Sequence, residues 1–256
     1  MRTLFAFMKK EWLEQIRSGR LIILTILFVL LGIMNPAIAK LTPWMLEVLA
    51  DSLAESGMTV TTVTVDAMTS WTQFFKNIPM GLIAFILLES SIFTKEYQSG
   101  TLVLALTKGL ERYKVVLSKT LILTVLWSVC YWLCFAITYG YNAYFWDNGI
   151  AQNLIFAVNC WWLLGLWTVT LTVFFSAAAK VNTSVLVGTG GVFLALYLLG
   201  LLPRVKEYTP PMLMNAASLL SGNAGTALFK KAIVVAIVMC IVFVAAGIPI
   251  LNKKKL

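Results

Sequence analysis

Apolar residues dominate six stretches of this chain, at residues 21–39, 74–93, 115–139, 154–179, 181–202 and 232–251. Each is about 20 residues long, the length an α-helix needs to cross roughly 30 Å of hydrocarbon. Short polar segments separate them. The pattern predicts an all-α integral membrane protein: six transmembrane helices in one transmembrane domain covering residues 1–256.

The segment ahead of the first span, residues 1–20, has a different pattern. Leu4, Met8, Trp12 and Ile16 recur at every fourth position among polar and basic residues, giving one apolar stripe on a helix. Arg2, Lys9, Lys10, Arg17 and Arg20 offer charge to anionic headgroups, and Trp12 suits the headgroup zone. The expected element is an interfacial helix lying on the inner leaflet, with Gly19 as the corner into the membrane. The first apolar run begins only at Leu21 and continues without a small-residue cleavage site, so no cleavable signal peptide is expected.

Between the first and second spans, residues 41–73 form the longest polar stretch, read as an outer cap. Trp44, Leu49 and Leu53 alternate with Glu47, Asp51 and Glu55 in a helix-like way, and the β-branched run at residues 58–66 is more extended in character. Residues 203–231 contain Pro210-Pro211 and an apolar piece too short to cross, which predicts short outer or re-entrant helices before the sixth span.

The segment between the second and third spans, residues 94–119, holds Lys95, Lys108, Arg112, Lys114 and Lys119 against Glu96 and Glu111. Within it, residues 101–107 are apolar. The Ser99 hydroxyl is placed to cap this short helix and Gly109 to end it in a left-handed turn. Leu102, Val103 and Leu106 would then stand next to water, where apolar side chains need a partner. Two partners are open: the lipid headgroups, with the helix lying flat on them, or a groove on a separate protein.

Composition narrows the chemistry. Sixty per cent of the residues are apolar and 12% charged, about half the charged fraction of a soluble domain. The net charge of +9 resides at span ends, so it serves topology and headgroups, not nucleic acid. With the N-terminus inside, fourteen cations fall in inner segments (Arg2, Lys9, Lys10, Arg17, Arg20, Lys95, Lys108, Arg112, Lys114, Lys119, Lys180 and Lys253 to Lys255). Six fall outside (Lys40, Lys76, Arg204, Lys206, Lys230, Lys231), so both termini are expected in the cytosol. Cys130, Cys134, Cys160 and Cys240 lie within apolar runs without metal-ligand spacing, and read as small buried apolar residues. No histidine is present, which excludes a Ser-His-Asp triad and a histidine zinc site. No Gly-Lys dipeptide is present either, which excludes a phosphate-cradling loop of the Walker type. No catalytic, cofactor-binding or metal site is expected.

Glu89 lies inside the second span, near its inner end. A carboxylate at the bilayer centre costs roughly 2.5–3.5 kcal/mol on insertion scales, so Glu89 should face protein or water. Two roles stay open: a structural pair with a basic residue at the membrane boundary, or a substrate or proton function. Trp161, Trp162 and Trp167 in the fourth span pack against neighbours or form a cargo-contacting wall. Gly188, Thr189, Gly190 and Gly191 in the fifth span let helices approach closely or line a cavity.

Glu96-x-x-x-Gly100-Thr101, an apolar turn, and Arg112-Tyr113-x-x-x-x-Ser118-Lys119 entering a span resemble the type-2 ABC exporter permeases. The likeness covers the whole chain: basic amphipathic start, six spans, and this loop after the second. It implies that residues 1–20 are an elbow helix and residues 94–114 a coupling loop. Glu96, Gly100, Thr101, Leu102, Val103, Leu106, Arg112 and Lys114 would engage a cytosolic ABC ATPase. It implies a second permease copy, for which Gly188, Gly190 and Gly191 are the candidate interface. ATP and magnesium would bind the partner, none in this chain. The expected location is a bacterial plasma membrane and the expected function ATP-driven export by alternating access. The compact size and small outer segments are similar to those of bacterial exporters of antimicrobial or amphipathic peptides, and drugs are a further cargo class. A secondary transporter would instead want ionisable groups at mid-membrane and inverted repeats, of which Glu89 alone qualifies. A non-transporting membrane scaffold would not need the apolar piece in the loop.

Overall fold

Glycine and proline punctuate a chain that is otherwise helical in the computed structural model, which describes residues 2–48, 65–107 and 109–254. Helix α1 spans Arg2–Arg17 and ends at Gly19, whose φ of 73° turns the chain into α2, Arg20–Val48. Helix α3, Ala67–Glu89, leads through a 3₁₀ turn at Ser90–Ile92 into α4, Thr94–Ser99. Gly100, at φ 68°, breaks α4 from α5, Thr101–Thr107. Then come α6, Arg112–Phe145, α7, Leu154–Ala178, α8, Asn182–Leu199, and α9, Lys230–Lys253. Six helices (α2, α3 with its continuation into α4, α6, α7, α8 and α9) are long and apolar enough to cross a membrane, and the described residues contain no strand. The protein is therefore an all-α integral membrane protein.

α2, α6 and α9 run past both ends of their apolar blocks, and α3 starts ahead of its own. α2 continues through Pro36 and Pro43, and α3 starts at Ala67, ahead of Phe74, with the Asp66 side chain accepting from the Thr69 amide at 3.0 Å. Both ends of the expected outer cap are thus helical, and residues 49–64, including most of its β-branched run, lie outside the described residues. α6 carries the aromatic residues Tyr139, Tyr141, Tyr144 and Phe145 in its last turns. Residues 206–229 hold three 3₁₀ segments. The longest, Pro210–Leu219, does not lie on the surface. Met212, Leu213, Ala216 and Leu219 are buried against the bundle, and the Met214 carbonyl accepts from Trp161 Nε1 at 3.3 Å.

Aromatic side chains fill the core, where Trp71, Phe74, Phe85, Trp127, Tyr131, Trp161 and Trp167 are buried. Trp127 of α6 sits against the backbone of Gly165 in α7, where an added Cβ would lie 2.1 Å from the indole. One set of polar groups inside the spans satisfies itself. Asn77 Nδ2 donates to Asn35 Oδ1 (2.9 Å), Asn35 Nδ2 to the Thr138 hydroxyl (3.1 Å), and that hydroxyl to the Gly32 carbonyl (3.0 Å). This chain stitches α2, α3 and α6 together where no water can substitute. Cys130, Cys134 and Cys160 are buried free thiols.

The bundle has two distinguishable ends. At one, Arg20 meets Ser91, Tyr97 meets the Ala177 carbonyl, and Arg112 meets the last turn of α9. This basic end holds both described termini and the α4–α5 segment. At the other, Trp71 Nε1 donates to Asn148 and the Gln152 amide to the Leu220 carbonyl.

Candidate functional site

Two lysines and two glutamates drawn from three elements form a closed ring at the basic end. Lys119 of α6, 1% exposed, hydrogen-bonds Glu11 Oε2 of α1 at 2.8 Å and the Ile92 carbonyl at 3.0 Å, and its third close contact is Glu96 Oε2 of α4 at 2.9 Å. The Glu96 contact is a close ion pair, less well aligned than the other two. Lys10 of α1 bridges the same two acids from the other side, meeting Glu11 Oε1 at 3.0 Å and Glu96 Oε1, and reaching Glu14 at 2.9 Å. Each carboxylate thus touches both ammonium groups, and each ammonium both carboxylates.

The arrangement answers a desolvation problem. An ammonium has three N–H donors; Lys119 directs two of them at oxygens of Glu11 and Ile92 and has the Glu96 carboxylate as a third close neighbour. A buried charge without such partners would be strongly unfavourable. Burial pushes the Glu11 carboxyl above its usual range, although Lys119 pulls the other way. Burial also opposes the charge of Lys10, but the Glu11, Glu96 and Glu14 carboxylates outweigh it and hold Lys10 above the ordinary lysine value. Glu11, Glu14 and Glu96 bring oxygens close enough to hold a metal ion. The Lys10 ammonium already supplies the cation there, so the residues do not fit a metal without displacing it.

Glu89 uses a second contact of the same kind. It is fully buried, accepts from Gln15 Nε2 at 2.7 Å, and lies 3.6 Å from the Arg20 guanidinium, which also donates to the Ser91 hydroxyl at 2.9 Å. Glu89 faces protein, and its basic neighbour is Arg20, at the membrane boundary. The face of α1 that enters the bundle is therefore Phe7, Glu11 and Gln15, all buried. Of the apolar stripe, Leu4 and Met8 are half-buried while Trp12 and Ile16 are exposed, as a helix with one side toward lipid requires. Lys10 and Arg20, expected to serve headgroups, are instead committed to carboxylates.

The ring anchors the α4–α5 segment. Glu96 is buried in it, so its carboxylate is held by this chain's own lysines rather than presented to a partner. Gly100 ends α4, and its carbonyl accepts from the Val103 and Leu104 amides to start α5. The Ser99 hydroxyl does not cap α5 through a backbone amide; it lies 2.9 Å from the Thr101 hydroxyl. Gly109 is left-handed at φ 87°, and its amide donates to the Leu106 carbonyl. Leu102 is fully buried within the chain's own core, so its burial does not wait for a partner. Leu106 is half-buried, packed on the same core. The outward apolar residues are Val103 and Leu104, the latter 62% exposed. Lys108 lies outside the described residues.

Arg112 and Lys114 also make contacts within this chain. Arg112 donates to the carbonyls of Leu251, Asn252 and Lys254, capping the last turn of α9. Lys114 pairs with Glu111 at 2.7 Å and approaches the Thr3 hydroxyl at 3.4 Å. Lys254 reaches the Ala177 and Ala179 carbonyls and covers the Tyr97 ring at 3.7 Å, while burial and the nearby Lys180 charge bring it down to about 8. The α4–α5 segment is thus tied to α1, α6, α7 and α9.

An apolar groove of about 360 Å³ opens between α3 and α8. Pro79, Ile83 and Ile86 line one wall, Thr189, Gly190 and Phe193 the other, and Trp161 of α7 the floor. The Thr189 hydroxyl is buried with no hydrogen-bond partner among the described residues. Gly188 faces inward, where a Cβ would come within 2.5 Å of Phe175 of α7, so its small size serves packing within this chain. Gly190 and Gly191 face open space.

Sequence reasoning missed Glu11, Gln15 and Lys119 as partners. The signal was present: Phe7, Glu11 and Gln15 also recur at every fourth position, and Lys119 lies two turns inside α6.

Comparison with known proteins agrees with this architecture. The family model described as ABC-2 family transporter protein matches residues 5–256. No curated protein and no solved structure matches the chain. A match over nearly the whole length, on a six-span chain with a tethered helical loop after its second span, places this protein in the ABC-2 transporter family.

Proposed function

We propose that this chain is the permease subunit of an ATP-driven exporter, with α5 as the coupling helix for a separate cytosolic ABC ATPase. The observation that carries this reading is the outward pair Val103 and Leu104 on a short helix whose neighbour α4 is locked to α1 and α6 through Glu96. A push on α5 would reach α1, α6 and α9 as one body. The ATPase would supply the ATP and magnesium sites; this chain has no phosphate-cradling loop. A second permease copy would pack on the open face of α8 around Gly190 and Gly191, and the pathway would alternate its access between the two copies. The groove between α3 and α8 suits the apolar part of an amphipathic peptide or drug.

Co-expression with an ABC ATPase and transport over a panel of amphipathic peptides and drugs tests the reading. The ATPase should co-purify, and cargo should stimulate it. Ile83→Trp should narrow the groove from the α3 side and lower transport about tenfold or more, the scale of losing one or two buried apolar contacts. The variant should still retain the ATPase. Transport that survives without ATP but collapses with the proton gradient would replace this reading by a secondary transporter working through Glu89.

Orientation gives a further expectation. With the basic end in the cytosol of a bacterial cell, a cysteine at Asn223, on a background with the native cysteines replaced, should react with an impermeant maleimide added outside. Reaction only after permeabilisation would invert the arrangement.

A further inference from the structure

A second groove, of about 330 Å³, lies in the crevice between α1 and α6, beside the ion ring. Phe5, Met8 and Trp12 of α1 form one side, Leu121, Ile122 and Val125 of α6 the other, and Lys9 stands with them as the one charged residue of the lining among the described residues. Lys9 is exposed and makes no ion pair among the described residues, whereas Lys10 beside it is occupied by three carboxylates. The groove does not stop at Val125. Leu121, Val125 and Val129 are each about half exposed and recur at every fourth position, so they extend the apolar track along α6 away from Lys9. From Leu121 to Val129 is roughly 12 Å at the helical rise, a length of several methylene units.

The geometry points to a seat for one anionic phospholipid, its acyl chain lying along Leu121, Val125 and Val129 and its phosphate at Lys9. Three features select this occupant. A partner protein would need polar contacts at the groove, and Lys9 is its only charged lining residue among the described residues. The track runs from a helix at the boundary of the spans into a span, which is the direction of an acyl chain. The two acids of α1, Glu11 and Glu14, are already held by Lys10 and Lys119, which leaves Lys9 uncompensated. The lipid would brace α1 on the face next to Phe7, Glu11 and Gln15, and so steady the ring from the membrane side.

The full-length protein in nanodiscs, with phosphatidylglycerol carrying a diazirine in its acyl chain, tests this. Labelling should map to peptides containing residues 5–12 and 121–129. Phosphatidylcholine with the same tail should label these peptides about fivefold less, the effect of one lysine near an anionic surface. Lys9→Glu should lower phosphatidylglycerol labelling by at least that factor, and Lys9→Met, which keeps the stem, should bring it to the phosphatidylcholine level. Val125→Trp should fill the track and remove labelling here while sparing other lipid contacts. Size-exclusion profile and melting temperature report that each variant is folded. Equal labelling by the two lipids, labelling indifferent to Lys9, or labelling unchanged by Val125→Trp would show an ordinary lipid-facing surface and overturn the proposal. Displacement by soluble glycerol phosphate would assign the Lys9 site to a free phosphate and overturn it too.

Discussion

Lys119→Met should release α1 and α4 from the bundle while the six spans stay inserted. Methionine keeps much of the lysine volume and removes its charge. Glu11 and Glu96 would then share only Lys10, and the Ile92 carbonyl would lose its donor. Breaking a buried pair by removing one partner typically costs about 3–5 kcal/mol, because the remaining charge is left without compensation. Apolar residues elsewhere in the spans are untouched, so that cost should appear locally. Amide exchange in residues 2–17 and 94–107 should accelerate by two orders of magnitude or more, the equivalent of about 3 kcal/mol. Transport should fall by a similar factor, since an ATPase pushing on α5 would no longer move α6.

A second substitution separates lost pairing from lost packing. In Lys119→Met with Glu11→Gln, the buried excess of negative charge is gone, and Lys10 still pairs with Glu96. Protection of α1 should recover by most of the lost amount, because removing both members of a buried pair is far less costly than removing one. Wild-type exchange rates in the single variant would show that the ring does not hold α1. Failure of the double variant to recover any protection would assign the loss to the donor removed from the Ile92 carbonyl rather than to the unpaired carboxylate.

The spans and the loop helix were legible in the sequence because both depend on local pattern. A run of about 20 apolar residues has one low-energy solution in a bilayer. Gly100 and Gly109 mark the ends of an apolar seven-residue piece whatever it packs on. The direction in which that piece faces was not legible. Leu102 and Val103 are adjacent and equally apolar, yet one is buried by this chain and the other is outward, which only the docking of α4 decides. The ion ring was missed for a related reason. Lys10, Glu11, Glu96 and Lys119 each look like ordinary boundary charges, and their sequence separations of 86 and 108 residues carry no periodic signal. α1 added a specific ambiguity, since two rows on it recur at every fourth position. The apolar row, Leu4 to Ile16, draws attention, while the row Phe7, Glu11 and Gln15 enters the protein because Lys119 and Glu89 require partners there.

Val103→Asp with Leu104→Asp should abolish association with the ATPase and leave the permease itself intact. Leu102 and Leu106 would be the wrong residues for this test: Leu102 is fully buried and Leu106 packs on the core, so an aspartate at Leu102 would disrupt the loop before any partner met it. Val103 and Leu104 are 39% and 62% exposed, so each has surface left for a partner to cover. Full burial of such a side chain is worth about 1.5–3 kcal/mol. Half of that for each of two residues is roughly 1.5–3 kcal/mol, or ten- to a hundredfold in affinity. Two carboxylates forced into an apolar groove would add a desolvation cost on top of this loss. The ATPase should therefore be lost in pull-down and transport should stop, while amide exchange in residues 94–107 stays near wild type because the Glu96 contacts remain. Retention of the ATPase with transport intact would mean that α5 lies against the lipid headgroups and the motor docks elsewhere. Accelerated exchange in the loop of the double variant would mean that the two side chains support the loop rather than a partner.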